Sequence, residues 1–354
     1  MNQIRVIFVF LLLVTAPFVG VWLALANQNE RLDYVGQPVE TLENIDVQVT
    51  HIRALKDDVL SKSEHIETVV SKYIETFSGQ SLALAAEIER SEDQANLSDD
   101  IYERRITSVL GDPVSSHKSP QVEIKLFELE ELDYRGYMAK VKLFDPQAFE
   151  VVLAEDKIGG FETTSSMAMR NRAMLAINGG GFGSSPGQNG LISGMIGATV
   201  SGGEIVQSFI KKDEPLFFAG IDHEGRVIGT VPETQADVDA LKPKDGVSFI
   251  PVLLKDGEKV KLPPEWVATR HPRTILGRYA NDDLLLIVVD GRQAFWSKGV
   301  TLERLQDKLL DLGVQDAYNL DGGGSSTIYY NGSVLNRPSD GTERPVANAI
   351  IIKP

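Results

Sequence analysis

Apolar residues fall into distinct textures along this chain. Val6 to Ala26 is an uncharged apolar run of about 21 residues, long enough to cross a hydrocarbon layer of roughly 30 Å. From Val47 to Leu110 the apolar positions Ile52, Leu55, Val59, Ile66, Val69 and Tyr73 are spaced mostly three and four apart, with charges filling the gaps, which is the period of one helix face. Lys62 interrupts that stripe. The pattern predicts helices broken at Phe77-Ser78-Gly79-Gln80-Ser81, restarted by a Ser98-Asp99-Asp100 cap and stopped at Gly111 before Pro113.

Beyond Ser115-Ser116-His117-Lys118-Ser119-Pro120 the texture turns to β. Val122 to Leu129, Gly136 to Phe144 and Phe149 to Ala154 alternate apolar with polar residues between turn formers. Leu284 to Val289 is continuously apolar, as in a strand buried on both faces. Thr301 caps a predicted helix whose Leu302, Leu305, Leu309 and Leu312 form one apolar face, and Gly313 stops it before a strand at Ala317 to Leu320. Strand, helix and strand form a predicted βαβ unit. Its crossover puts both strand ends on one sheet edge, so Asp290 and Asp321 are expected side by side. A hairpin at Asn331-Gly332 and a last strand, Val346 to Ile352, follow. The fold class is therefore α/β, a mixed α+β sheet domain over 116–354 with a C-terminal βαβ unit. An α-helical stalk at 29–115 and an N-terminal transmembrane helix or signal segment at 1–28 precede it.

Arg5 precedes the apolar run, so either a membrane anchor or a signal cleaved after Ala26 leaves the remainder outside the cytoplasm. The stalk is expected to act as a spacer or to pair two copies as a coiled coil; a helical pair packed on itself is the alternative reading. The chain has no cysteine, so a core and not disulfides must hold an exported domain together. Its formal charge is −15, and residues 27 to 120 hold 18 acids against 9 bases, which disfavours nucleic acid or an anionic membrane surface as partner, so no nucleic acid is expected.

Candidate chemistry sits at two glycine runs. Asn319-Leu320-Asp321-Gly322-Gly323-Gly324-Ser325-Ser326-Thr327 and Asn178-Gly179-Gly180-Gly181-Phe182 each follow a strand. Such runs are costly in chain entropy and are expected where a backbone must turn sharply or approach something closely. No Gly-x-Ser-x-Gly elbow, thiol or Walker loop is present. His51, His65, His117, His223 and His271 lack metal-ligand spacing, so no metal or cofactor is expected. What remains is Asp290 and Asp321 as acid, base or nucleophile, backbone N–H nests in the glycine loops, and Arg273, Arg292 and Arg344 as anion ligands. Paired carboxylates suit an anomeric carbon and arginine forks suit phosphate. The combination suggests cleaving a sugar from a phosphate.

Pro272-Arg273-Thr274, Asp290-Gly291-Arg292, Ser297-Lys298-Gly299-Val300-Thr301-Leu302, the Asn319 to Thr327 run, Arg337-Pro338-Ser339-Asp340 and Arg344-Pro345-Val346-Ala347-Asn348-Ala349 resemble the phosphodiester glycosidase family. The resemblance covers about 120–354. It implies hydrolysis of an α-linked, N-acetylglucosamine-like sugar-1-phosphodiester in envelope or exopolysaccharide material, and it carries over Asn178, Asp290, Asn319, Asp321 and their glycines Gly179, Gly180, Gly322 and Gly323. With these, Asn178, Asn319 and Ser325 are expected to orient sugar hydroxyls or water. The first loop departs from the family's usual Asn-Gly-Gly-Phe-Phe, so the sugar wall near Phe182 is expected to differ. Glu303 stands one step from the position, Arg304 here, where relatives often carry glutamate. A non-catalytic wall-polymer binding module that keeps the pocket is the alternative, and a serine hydrolase using Ser325 and His271 a third.

Overall fold

In the computed structural model, residues 42–187 and 190–354 are described. The expected membrane segment, Val6 to Ala26, lies outside them. Among the described residues no helix is long and apolar enough to cross a membrane. The chain divides into two units, 1–86 and 87–354, whereas the change of texture placed the boundary at 116.

The expected helices are one continuous helix, Leu42–Leu110. Neither predicted interruption occurs. A glycine inside a helix costs only about 1 kcal/mol relative to alanine, and serine and aspartate are weak formers rather than breakers, so Gly79 and Ser98-Asp99-Asp100 do not stop it. Gly111 does, at φ +80°, where a left-handed residue closes the last turn. In the first unit the stripe residues Ile52, Val59, Ile66 and Tyr73 are exposed. Lys62 instead pairs one turn back with Asp58 at 2.7 Å.

Among the described residues the second unit holds three larger sheets and a two-stranded ribbon, Phe182–Gly187 with Gly190–Met195. The largest runs Ser115–Lys118, Val122–Glu130, Arg135–Leu143, Leu284–Val289, Arg273–Arg278, Asp316–Asn319, Val252–Lys255, Glu258–Lys259, every pair antiparallel. This modifies the expected βαβ unit. Leu284–Val289 and Asp316–Asn319 are parallel to one another, but Arg273–Arg278 lies between them and pairs with both. The crossover helix, Leu302–Asp311, is capped by the Thr301 hydroxyl accepting from Arg304 N at 3.3 Å. It buries Leu302, Leu305 and Leu309 against Ile275, Leu285, Ile287 and Val289, and Ile106 of the long helix joins the same cluster.

A second sheet orders Val227–Thr230, Phe217–Asp222, Pro243–Phe249, Thr199–Ser201 and Glu204–Gln207. The third orders Ser333–Val334, Ile328–Tyr330, Leu175–Asn178, Asn348–Ile352 and Phe149–Leu153. The last strand therefore lies outside the large sheet that holds the strand-helix-strand unit. Residues from all three, including Val288, Tyr318, Phe217, Val247, Ile177 and Ile350, share one apolar core. That core brings both glycine runs to the same end of the domain.

Candidate active site

Pro272, just before the central strand Arg273–Arg278, is the point on which both aspartate-glycine steps close. A Cβ on Gly291 would lie 2.7 Å from Pro272 N, and one on Gly322 would lie 2.8 Å from Pro272 O. Neither approach admits a side chain. Gly323 N then donates to Pro272 O at 3.0 Å. The two acidic strand ends are thus fixed to the first turn of one intervening strand, from opposite sides.

Their environments diverge. Asp290 is 1% exposed. Its carboxylate accepts from Trp296 Nε1 at 2.7 Å, Asn336 Nδ2 at 3.0 Å and Arg337 N at 3.0 and 3.1 Å. Arg337 and Arg135 lie over the Trp296 ring at 3.6 and 4.6 Å. Burial pushes its pKa up against those hydrogen bonds. It closes the loop after its strand and does not line the cleft.

Asp321 does line a cleft of about 480 Å³, together with Arg273, Arg292, Arg344, His271, Gly322, Gly323, Thr269, Phe249, Trp266 and Glu214. Burial raises its carboxyl to about 6, with Ser325, Arg344 and Gly322 N pulling the other way. Ser325 Oγ is buried without a hydrogen-bond partner, so its hold on the carboxyl is weaker than a formed hydrogen bond.

The arginines reach this cleft by different routes. Arg273 is 2% exposed, donates from Nη2 to Thr269 O at 3.1 Å, lies over Trp266 at 5.7 Å, and keeps a buried Nε with no partner. Burial and then Arg292 lower its pKa to about 10, so it remains a cation at neutral pH. Arg292 has φ +60°, a region where non-glycine residues cost about 1–3 kcal/mol and persist only where the surroundings enforce them. That turn sets its guanidinium where a Gly323 side chain would start, 3.1 Å from the ideal Cβ. Arg344 pairs with Asp340 at 2.7 Å, and a Cβ on Gly324 would meet that pair at 2.1 and 2.2 Å. The second glycine run thus makes room for guanidinium groups.

The first run does something else, and the expectation of an anion nest there is corrected. Gly179 N donates to Asn348 O at 3.1 Å, Gly180 N to Asn348 Oδ1 at 2.9 Å and Gly181 N to Ser248 O at 3.0 Å. All three N–H groups are consumed inside the protein. Asn178 is fully buried; Oδ1 accepts from Thr274 Oγ1 at 2.7 Å and Thr327 N at 3.1 Å, while Nδ2 donates to Asp321 O at 2.6 Å. Asn319 is likewise buried and donates to Ile250 O at 2.7 Å. Neither asparagine lines the cleft to orient sugar or water, and Ser325 is fully buried as well. Asn178 instead ties the two glycine turns together from behind.

Nor does Phe182 form the aromatic wall, because it packs on Phe161 at 6.0 Å. Phe249 and Trp266 take that place, edge to face at 6.0 Å, and a Cβ on Gly181 would fall 2.2 Å from the Phe249 ring. These two rings, Thr269 and the exposed Glu214 are cleft residues that sequence reasoning missed. Only Trp266 had a signal, in the Pro-Pro-Glu-Trp step just before Thr269-Arg270-His271-Pro272-Arg273. Glu303 is exposed at the start of its helix, and Arg304 pairs with Asp133 at 3.0 Å; neither lines the cleft. Among the described residues no group of three or more His, Asp or Glu side chains is placed to hold a metal ion.

A sequence profile of the phosphodiester glycosidase family matches residues 171–353. Mouse N-acetylglucosamine-1-phosphodiester alpha-N-acetylglucosaminidase is 25% identical over 226 residues, 58% of this chain and 41% of that protein. The SPbeta prophage-derived uncharacterized protein YomE of Bacillus subtilis is 29% identical over 197 residues, 54% of this chain and 29% of that one. This chain thus spans less than half the length of both. The zebrafish enzyme's catalytic domain, auto-inhibited by its pro-peptide, superposes with a TM-score of 0.55 at 24% identity, over 69% of this chain and 87% of that one. It shows the same fold. With the family profile covering more than half of its residues, this chain belongs to the phosphodiester glycosidase family.

Proposed function

We propose that the cleft at Asp321 hydrolyses the glycosidic bond of a sugar-1-phosphodiester, with an α-linked N-acetylglucosamine-like sugar as the expected glycone. The observation that supports this reading most is the buried Asp321 carboxyl, raised to about 6, sharing one cleft with three arginines. A departing phosphate monoester stabilises its own charge, with a second pKa of about 6, so it calls for cations more than for a proton donor. Arg273, Arg292 and Arg344 supply those cations.

At pH 7 most Asp321 carboxyls are ionised and still basic enough to take a proton from water or to attack the anomeric carbon. The C1–O bond breaks with its electron pair passing to the phosphate oxygen. The sugar gains the hydroxyl, and the released proton leaves through Asp321. Phe249 and Trp266 offer apolar faces to a sugar ring. Asp290 acts one step back: by holding Trp296 and Arg337 N it closes the turn that aims Arg292.

Like the mouse enzyme, whose name places its action on N-acetylglucosamine-1-phosphodiester, this chain would release a reducing sugar and a phosphate monoester. Envelope or exopolysaccharide phosphodiesters are the natural class for a chain whose apolar Val6–Ala26 run would direct it outside the cytoplasm. Pairing of two copies through the helix stripe is part of the same proposal. The test is a panel of sugar-1-phosphodiesters given to the full chain with reducing sugar as readout. Release from at least one α-linked member is expected; binding without release across the panel would assign a polymer-binding module instead.

A further inference from the structure

We propose that His271 is a further catalytic residue, an uncharged imidazole whose Nε2–H donates a hydrogen bond to the phosphate oxygen that departs from the sugar. This rests on the reading of the cleft given above.

The tautomer follows from the partner. Arg292 Nη2 and His271 Nδ1 are 3.2 Å apart, and a guanidinium only donates. Nδ1 must therefore accept, which leaves the proton of a neutral imidazole on Nε2. Among the described residues the one side-chain hydrogen bond of the ring is this one at Nδ1, and the side chain lines the cleft beside Asp321 and Arg273.

The backbone holds the ring there. His271 N donates to Val300 O at 3.3 Å and Val300 N returns to His271 O at 3.2 Å. Gly299, at φ +88°, lets that loop sit against His271, since its Cβ would fall 2.8 Å from the His271 carbonyl. The residue is thus clamped from the 290–299 turn on which Arg292 also sits. Charged groups around the cleft are mostly cationic on this side: Arg292 from the turn, Arg273 from its own strand and Arg344 with its partner Asp340 from the C-terminal segment. Asp321 and Glu214 are the acids lining it, and Arg270 next door is committed to Asp133 at 2.8 Å. Burial, with Arg273 and Arg292, lowers the His271 pKa below its ordinary 6.5. A neutral imidazole donor adds a hydrogen bond at the oxygen that gains charge, and it takes no part in the proton balance: the water proton still passes to Asp321.

Two readouts on the full chain test this, one without turnover. A nitrogen-15 spectrum reports on the five histidine rings, and the signal lost in His271→Gln is that of His271. At pH 7 it should show a neutral ring protonated at Nε2, and inorganic phosphate should shift it. His271→Ala should weaken phosphate binding about tenfold and lower turnover roughly 100-fold, as for loss of one donor to a developing anion. His271→Gln, whose amide can donate, should recover most of both and should lose the His271 part of the acid limb of the rate profile while keeping that of Asp321. A ring protonated at Nδ1 or charged at pH 7, or phosphate binding and turnover both unchanged in His271→Ala, overturns the assignment and leaves the Asp321 reading standing. Failure of the unaltered chain to bind phosphate overturns both.

Discussion

Asp290 and Asp321 end parallel strands, each followed by glycine and each closing on Pro272, yet only one meets the cleft. What separates them is the chain that follows. After Asp290 come Trp296, Asn336 and the N–H of Arg337, which use up the carboxylate's lone pairs. After Asp321 come two more glycines whose missing side chains are replaced by Arg292 and Arg344. Burial raises both carboxyls, but one saturated with donors fixes structure, while one left short of them and open to a cleft keeps a reason to bind something.

The comparison breaks most visibly at Asp321. Asp321→Asn should lower turnover by about 10³-fold or more, within the range for loss of a general base or nucleophile, with an unchanged circular dichroism spectrum. Asp290→Ala should act through the fold. Three donors, that of Asn336 buried, lose a charged acceptor, and urea unfolding should report a loss of about 3 kcal/mol.

The opposite sign is expected for the stability of the Asp321 variant. Its folded pKa of about 6 exceeds the ordinary 3.8, so between those values the folded chain holds a proton that the unfolded chain releases. Stability is then highest at the acid end of that window and falls as pH rises through 6. Removing the charge should make Asp321→Asn more stable than the unaltered chain at pH 7, by about 2 kcal/mol or less given its partial exposure, and should flatten the pH dependence between 4 and 6 measured by thermal unfolding.

A smaller contrast sharpens the account of the two glycine runs. Gly180→Ala would press on Ser248 O and Val247 at 2.8 Å and should cost about 1 kcal/mol or more of stability, with phosphate affinity little changed. Gly324→Ala meets only the mobile ends of Arg344 and Asp340. It should leave the urea midpoint nearly unmoved and weaken phosphate binding a few-fold.

Much of the fold was legible because the signals were local. Alternation at 122–129, the six-residue apolar strand at 284–289, the Thr301 cap and the Asn331-Gly332 turn, with φ +45° and +93°, each appear as expected. The strand inserted between Leu284–Val289 and Asp316–Asn319 was not legible, because it precedes both in sequence and only register chooses its neighbours. The glycine runs read as equivalent for the same reason. Whether an N–H is spent depends on Asn348 and Ser248, which are far away in sequence. Asp290 is sealed by Trp296, 6 positions on, and by residues 46 and 47 positions on, and its type and strand-end placement gave no sign of the distant pair. Arginines flanking glycines do line the cleft, since a guanidinium placed against the backbone demands an absent side chain on the very residues that the sequence shows.

The most direct test uses water enriched in oxygen-18 and the methyl diester of α-N-acetylglucosamine-1-phosphate, with the label located by mass spectrometry after partial hydrolysis. Attack at the anomeric carbon near Asp321 predicts the heavy oxygen in the sugar product and none in methyl phosphate. Label found in the phosphate would mean that the P–O bond is cleaved, and would contradict the glycosidase account of this cleft.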